Sequence, residues 1–227
     1  MEPVRNMARV GMEVLVDSES IAGAVEMHDV SVFAKVSPLL VKVLGIDQYG
    51  TAVGEFSGFQ HGGVIVTAGH AMGFSGKPPG STSPVQTFKA FYPDGSEEAV
   101  AVFKAPPPIT PDLMLLKGSR VSALFRGKAG AAMETVYAFG YSAGEGMQAG
   151  LLPSCSKGTI ASITPGAMAI TTHADDGFSG GPVVDCLGRL VGVIMGGVGS
   201  TILRVGITPS FDVHTYLLQA GQPGLTR

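Results

Sequence analysis

Tryptophan is absent from this 227-residue chain, cysteine occurs twice, and charged residues make up only 15% of it. Cys155 and Cys186 are too few for the disulfide framework that staples small secreted domains. Both are therefore expected as free thiols, in an intracellular, reducing compartment. With 15 Lys and Arg against 18 Asp and Glu, the net charge is -3. That leaves no basic surface to make nucleic acid the main partner. Glu2, Arg5, Arg9 and Glu13 interrupt the apolar positions of Met1–Val16, so neither a signal peptide nor a membrane segment is expected there. The five histidines and two cysteines show no metal-ligand spacing, and no metal or organic cofactor is expected.

What is abundant is apolar residues, at 45%, and turn formers, with 33 Gly and 15 Pro. Such a chain can bury a substantial core, and its apolar runs are short and bounded by turn residues, as in many strands joined by turns. Residues 1–38 differ, with Met7, Val10, Val14 and Leu15 at helical spacing weakened by Gly11, and are expected as an arm or linker with some helix. A first half, 39–122, contains the runs Leu39–Ile46, Thr51–Phe56, Val64–Ala68, Thr87–Tyr92, Ala99–Lys104 and Leu113–Lys117. Tyr92-Pro93-Asp94-Gly95 and Phe59-Gln60-His61-Gly62-Gly63 are the turns that stand out among them. A second half, 123–227, contains Glu134–Phe139, Lys157–Ile163, Ala167–Thr171, Pro182–Asp185, Leu190–Ile194 and Ile202–Ile207, then a helical segment over Phe211–Ala220. The expected fold is all-β: two six-stranded antiparallel barrels, a short C-terminal helix and an N-terminal arm. Closing a barrel also removes unpaired strand edges.

The strongest chemical signal is Asp176-Gly177-Phe178-Ser179-Gly180-Gly181-Pro182, one serine among glycines directly before an apolar strand. Glycine at 177, 180 and 181 admits backbone conformations closed to other residues, so the turn can aim the amide hydrogens of Gly177 and Ser179 at one point. Two such donors are what a tetrahedral oxyanion requires. A serine hydroxyl is a weak nucleophile unaided and needs a base and an orienting acid. His70, at the end of the strand-like Val64–Ala68, is the candidate base. His61 in a hairpin tip, His28 in the arm and His214 on the terminal helix are poorer candidates. Asp112, at the mouth of Leu113–Lys117, is the candidate acid, since Asp94 belongs to a turn signal of its own.

The order of Thr67-Ala68-Gly69-His70, Asp112-Leu113-Met114-Leu115-Leu116-Lys117 and Gly177-Phe178-Ser179-Gly180-Gly181-Pro182 resembles the chymotrypsin-fold serine proteases over roughly 39–218. The resemblance implies that Ser179 attacks a peptide carbonyl, His70 relays the proton and Asp112 orients the imidazole, through an acyl-enzyme. It also implies a primary pocket between His173 and Ala174 on one side and Ile194, Met195, Gly196 and Gly197 on the other. Glutamate-selecting viral members carry a histidine and a threonine where this chain has Ile194 and Ala174. A medium-sized or apolar residue is therefore expected before the scissile bond.

Phe178 stands where digestive members carry the aspartate that pairs with a newly cut amino terminus, so activity without zymogen cleavage is expected. Two branches share this property. Ala138-Phe139-Gly140-Tyr141 and Asp185–Val193 are similar to HtrA-like proteases, whereas a bulky residue before the nucleophile suits viral polyprotein-processing enzymes. The viral branch is preferred, with the protein's own precursor as substrate and the host cytoplasm as its location. An HtrA-like quality-control protease and a catalytically inactive binding module on the same fold are the alternatives.

Overall fold

The computed structural model describes residues 29–73, 85–108, 110–123, 125–143, 153–197 and 204–226. The helical spacing anticipated from Met7 to Leu15 lies outside them. The first barrel is built from β1 (Leu40–Ile46), β2 (Ala52–His61), β3 (Val64–Thr67), β4 (Thr87–Phe91), β5 (Glu97–Lys104) and β6 (Met114–Lys117). It closes in the order β1-β2-β3-β6-β5-β4. The turn at Tyr92–Gly95 forms as its composition predicts. Gly95 has φ of 81° and donates its N–H to Tyr92 O at 2.9 Å, and the Asp94 carboxylate accepts from Ser96 N–H.

β2 runs five residues further than its apolar run indicates. Ser57 and Gly58 look like a break in sequence, but Gly58 pairs with Thr67, where a Cβ would lie 2.8 Å from Val66 O. Glycine is there because two backbones approach closely. The strand continues to His61, and Gly62-Gly63 alone makes the turn to β3.

The second barrel comprises β7 (Thr135–Gly140), β8 (Ser154–Thr164), β9 (Ala167–Thr171), β10 (Pro182–Val184), β11 (Leu190–Gly197) and β12 (Arg204–Pro209), closed as β10-β11-β12-β9-β8-β7. Helix α2 (Ser210–Gln219) follows, its buried face carrying Val213, Tyr216 and Leu217 while Phe211 is exposed. Within the stretch between the barrels, Arg126 pairs with Thr226 and Gly127 with Leu190.

Each barrel has its own apolar interior, and a third cluster fills the seam between them. It joins Phe59, Leu113 and Leu115 of the first barrel to Tyr137, Phe139 and Val193 of the second. A helix over 29–36, α1, contributes Val32 and Val36, so the end of the arm is part of the core rather than a free linker. Burying each such side chain is worth about 1.5–3 kcal/mol, so this seam is a large part of what holds the barrels together. Polar ties reinforce it. Lys104 Nζ lies 4.1 Å from the centre of the Tyr216 ring, and Tyr216 Oη donates to Ala105 O at 2.7 Å.

His61 is wholly buried and uses both ring nitrogens: Nδ1 accepts from Phe125 N–H and Nε2 donates to Pro223 O, each at 3.0 Å. The histidine in a hairpin tip is thus a structural rivet between the first barrel, the connecting stretch and the C-terminal segment. Cys155 and Cys186 are both free thiols.

Candidate active site

Sheet register explains why His70 and Asp112 meet. Thr67 of β3 pairs with Met114 of β6, so the residues just beyond one strand and just before the other emerge side by side. His70 lies on a single 3₁₀ turn, Gly69–Met72, directly after β3. Its Nδ1 donates to Asp112 Oδ2 at 2.7 Å, and its backbone N–H donates to Asp112 Oδ1 at 2.7 Å. Gly69 makes the approach possible, because a Cβ there would stand 2.9 Å from Asp112 Oδ1. Burial alone would raise the Asp112 pKa, but hydrogen bonds from the His70 ring and from the His70 and Gly69 amides outweigh it and hold the carboxyl below its ordinary value. The carboxylate stays ionised and fixes the tautomer with the proton on Nδ1, leaving Nε2 to accept. Phe56 packs edge-on against the imidazole, with centroids 5.9 Å apart.

Ser179 sits in a tight turn whose peptide planes are individually held. Phe178 N–H donates to Asp175 O, Gly181 N–H to Phe178 O, and Gly180 N–H to Ile194 O. Gly177 has φ of 97°, and a Cβ would lie 2.5 Å from Tyr141 O, so only glycine fits. Ala143 N–H binds Asp176 O at 2.6 Å. In a trans peptide the N–H points opposite the carbonyl, so this bond turns the Gly177 N–H away from Ala143. Neither Gly177 N–H nor Ser179 N–H has a hydrogen-bond partner among the described residues. Phe178 is buried at 3% exposure in the interior of the second barrel, stacked so tightly on Gly140 that a Cβ there would lie 2.6 Å from its Cγ.

Ser179 Oγ makes one long hydrogen bond, 3.4 Å, to Met195 O, and none to His70. Catalytic hydrogen bonds are often long or unmade before substrate is bound, so this geometry is compatible with a serine that swings between the two acceptors. His70 and Ser179 line one cavity of about 530 Å³ with Ala52–Phe56, Ala143, Ala174–Phe178, Ile194, Gly196 and Val205.

The expected pocket residues are therefore divided. Ala174, Ile194 and Gly196 line the cavity, Met195 contributes its carbonyl, and Gly197 lies on β11 opposite Val205. His173 is not among the described residues that line it. Its Nε2 is instead 2.9 Å from Asp175 Oδ1, in a half-exposed contact. Val205 of β12 also lines the cavity, a position the sequence does not reveal because it depends on the β11–β12 register. Ala143 and Ala52–Phe56 of β2 line it as well, brought there by the meeting of segments distant in sequence. Glu55, Asp175 and Asp176 are among the lining residues, Glu55 ion-paired to Lys42 at 2.9 Å and Asp175 accepting from Ser142 Oγ at 2.9 Å. Among the described residues no three His, Cys, Asp or Glu side chains cluster to hold a metal.

Residues 50–193 match the model of a family described as trypsin-like peptidase domain. Among solved structures, the chain is similar to a serine endoprotease from Yersinia pestis at 16% identity and TM-score 0.66, covering 84% of this chain and 66% of that one. The active form of the Rv3671c protease from M. tuberculosis matches at 17% identity and TM-score 0.67, with 86% of each chain covered. An inactive form of Rv3671c matches at 18% identity and TM-score 0.63, covering 84% and 90%. These likenesses are of fold. No curated protein matches the chain in sequence.

Proposed function

The chain belongs to the trypsin-like peptidase domain family and is a serine endopeptidase, and from that premise we propose that Ser179 is its nucleophile, His70 its base and Asp112 the acid that orients the base. The observation that carries this reading is the convergence on one cavity of the Asp112-held imidazole, the Ser179 hydroxyl and two unpartnered amide donors. Ser179 Oγ attacks the carbonyl as His70 Nε2 takes its proton. The oxyanion that develops accepts hydrogen bonds from Gly177 and Ser179 N–H, a contribution worth about 10²- to 10³-fold in rate per donor. Collapse expels the amine, which takes the proton from His70. Water then attacks the acyl-enzyme by the same route, and Ser179 regains its proton.

The substrate is a polypeptide bound in extended form along β11, with a medium-sized apolar side chain before the scissile bond. Ala174, Ile194 and Val205 support this preference, since they offer that side chain no charge. The enzyme works without activating cleavage: the buried Phe178 ring tethers the oxyanion turn where zymogen-activated members use an ion pair.

Between the two branches, the HtrA-like reading is preferred to viral polyprotein processing. The viral reading leaned on the bulk of Phe178, and burial of that ring accounts for its size without any reference to substrate. The proteases of similar fold named above are bacterial. An HtrA-like enzyme degrades unfolded casein at many sites, whereas a processing enzyme leaves casein largely intact and cuts its own precursor once.

A serine-directed fluorophosphonate probe tests the assignment. Labelling of the intact protein is expected, abolished by Ser179→Ala and strongly slowed by His70→Ala. An unlabelled but folded protein would establish the binding-module alternative and overturn the enzyme.

A further inference from the structure

Ser57 lies on β2 of the first barrel, fully buried, and every polar group it owns is engaged. Its N–H donates to Ser179 O at 2.8 Å, its hydroxyl donates to Gly177 O at 2.8 Å, and the same hydroxyl accepts from Tyr141 N–H at 2.8 Å. Its carbonyl accepts from Thr67 Oγ1 at 2.7 Å. Gly180 makes this crossing between barrels possible, because a Cβ there would stand 2.2 Å from Ser57 O.

The two amide donors of the oxyanion site are flanked by four carbonyl groups, and each is pinned. Asp176 O, on the same peptide as the Gly177 N–H, is bound by Ala143 N–H, and Gly177 O, on the peptide that follows, is bound by the Ser57 hydroxyl. Ser179 N–H is held between Phe178 O, bound by Gly181 N–H, and Ser179 O, bound by Ser57 N–H. Two of the four pins come from one residue on the opposite barrel. The direction of the hydroxyl proton is also determined: Tyr141 N–H occupies its acceptor side, so its one hydrogen is left for Gly177 O.

From this geometry we infer that Ser57 is a positioning residue for the oxyanion site, its side-chain hydroxyl holding, from across the barrel seam, the Gly177–Phe178 peptide that lies between the two donor peptides. The inference rests on the serine-peptidase reading above. The hydroxyl touches neither substrate nor the Ser179 side chain and acts only by holding the Gly177–Phe178 peptide. A donor that is displaced by a fraction of an ångström still tolerates the planar carbonyl of bound substrate but matches the tetrahedral oxyanion poorly.

Ser57→Ala removes the hydroxyl and keeps the backbone pin to Ser179. With a tetrapeptide p-nitroanilide ending in valine, kcat is expected to fall about 10- to 100-fold while KM stays within about twofold. The affinity of the matching peptide boronic acid, whose tetrahedral adduct mimics the oxyanion, should fall by the same factor as kcat/KM. Ser57→Thr, which retains the hydroxyl, should recover most of kcat. Should Ser57→Ala fail to give a cooperative urea transition, Ser57→Cys fills the same space with a poor donor and is expected to show the same loss.

Unchanged kcat/KM in a folded hydroxyl-less variant, a loss confined to KM, or undiminished boronate affinity would each overturn the role. Fluorophosphonate labelling of the unmodified enzyme separates this failure from failure of the underlying reading: labelled enzyme with an indifferent Ser57 sinks only the inference.

Discussion

Phe178→Ala tests whether an apolar anchor holds the catalytic turn in place. The ring is 3% exposed and packs with Val136, Ala138, Val183 and Ile194 inside the second barrel. Its contact with Gly140 leaves no room for even a methyl group between them, so truncation opens a cavity that the rigid barrel wall cannot collapse into. Phe→Ala substitutions of this kind cost about 3–5 kcal/mol. From the middle of the typical range of about 5–15 kcal/mol, such a loss leaves the variant folded at 25 °C. With a urea slope of about 2–3 kcal/mol/M, the unfolding midpoint should fall by about 1–2.5 M. Function should suffer separately, because Gly177 and Ser179 flank the lost anchor: fluorophosphonate labelling of the folded variant should slow about 10-fold or more. Phe178→Leu, which keeps most of the buried surface, should lose far less of both. Extending the amino terminus should change neither quantity, since the position before Ser179 holds Phe178 and not a carboxylate. A midpoint within about 0.3 M of the parent, together with parental labelling, would refute the anchor and with it the account of activity without cleavage.

Asp112→Asn keeps the shape of the acid and removes its charge, so His70 loses the partner that fixes its tautomer; kcat should fall by about 10⁴-fold in steady-state peptide hydrolysis with little change in KM. A second prediction concerns acid stability. Desolvation lowers the His61 pKa from 6.5, although hydrogen bonds to the Pro223 and Gly224 backbone oppose it, so the folded protein prefers the neutral ring. The corresponding stability is complete above the unfolded-state pKa near 6.5 and is lost as pH falls below it toward the lowered folded value. Urea midpoints should therefore decline from pH 7 to pH 5, and His61→Gln should be less stable at pH 7 but flatter across that window. If the variant keeps the parental slope, His61 is not the titrating group. Val205→Gly should enlarge the cavity wall and move the preference before the scissile bond from valine toward larger apolar residues in a peptide library; an unmoved preference would detach Val205 from that pocket.

Much of this molecule is written in local sequence, because the signals concerned are short-range. Strand runs bounded by Gly, Pro and Asn-like turn chemistry depend on a few neighbouring residues, and the expected strands recur within a few residues of where they form. His70, Asp112 and Ser179 stood out because each sits at a strand end in a distinctive local setting. What local sequence could not carry is whatever depends on register and on the meeting of distant segments. Ser57 looks like an interruption in β2 and becomes a clamp only once β2 lies against the 175–181 turn. His61 looks like turn chemistry and becomes a buried rivet once residues 125 and 223 converge on it. His173 was expected in the pocket from the family resemblance, but it lies against Asp175 and does not line the cavity, whereas the pairing of β11 with β12 brings Val205 to it. Hydrogen bonds and burial are satisfied by whichever groups the closed barrels bring together, and that pairing is a property of the whole fold rather than of any one segment.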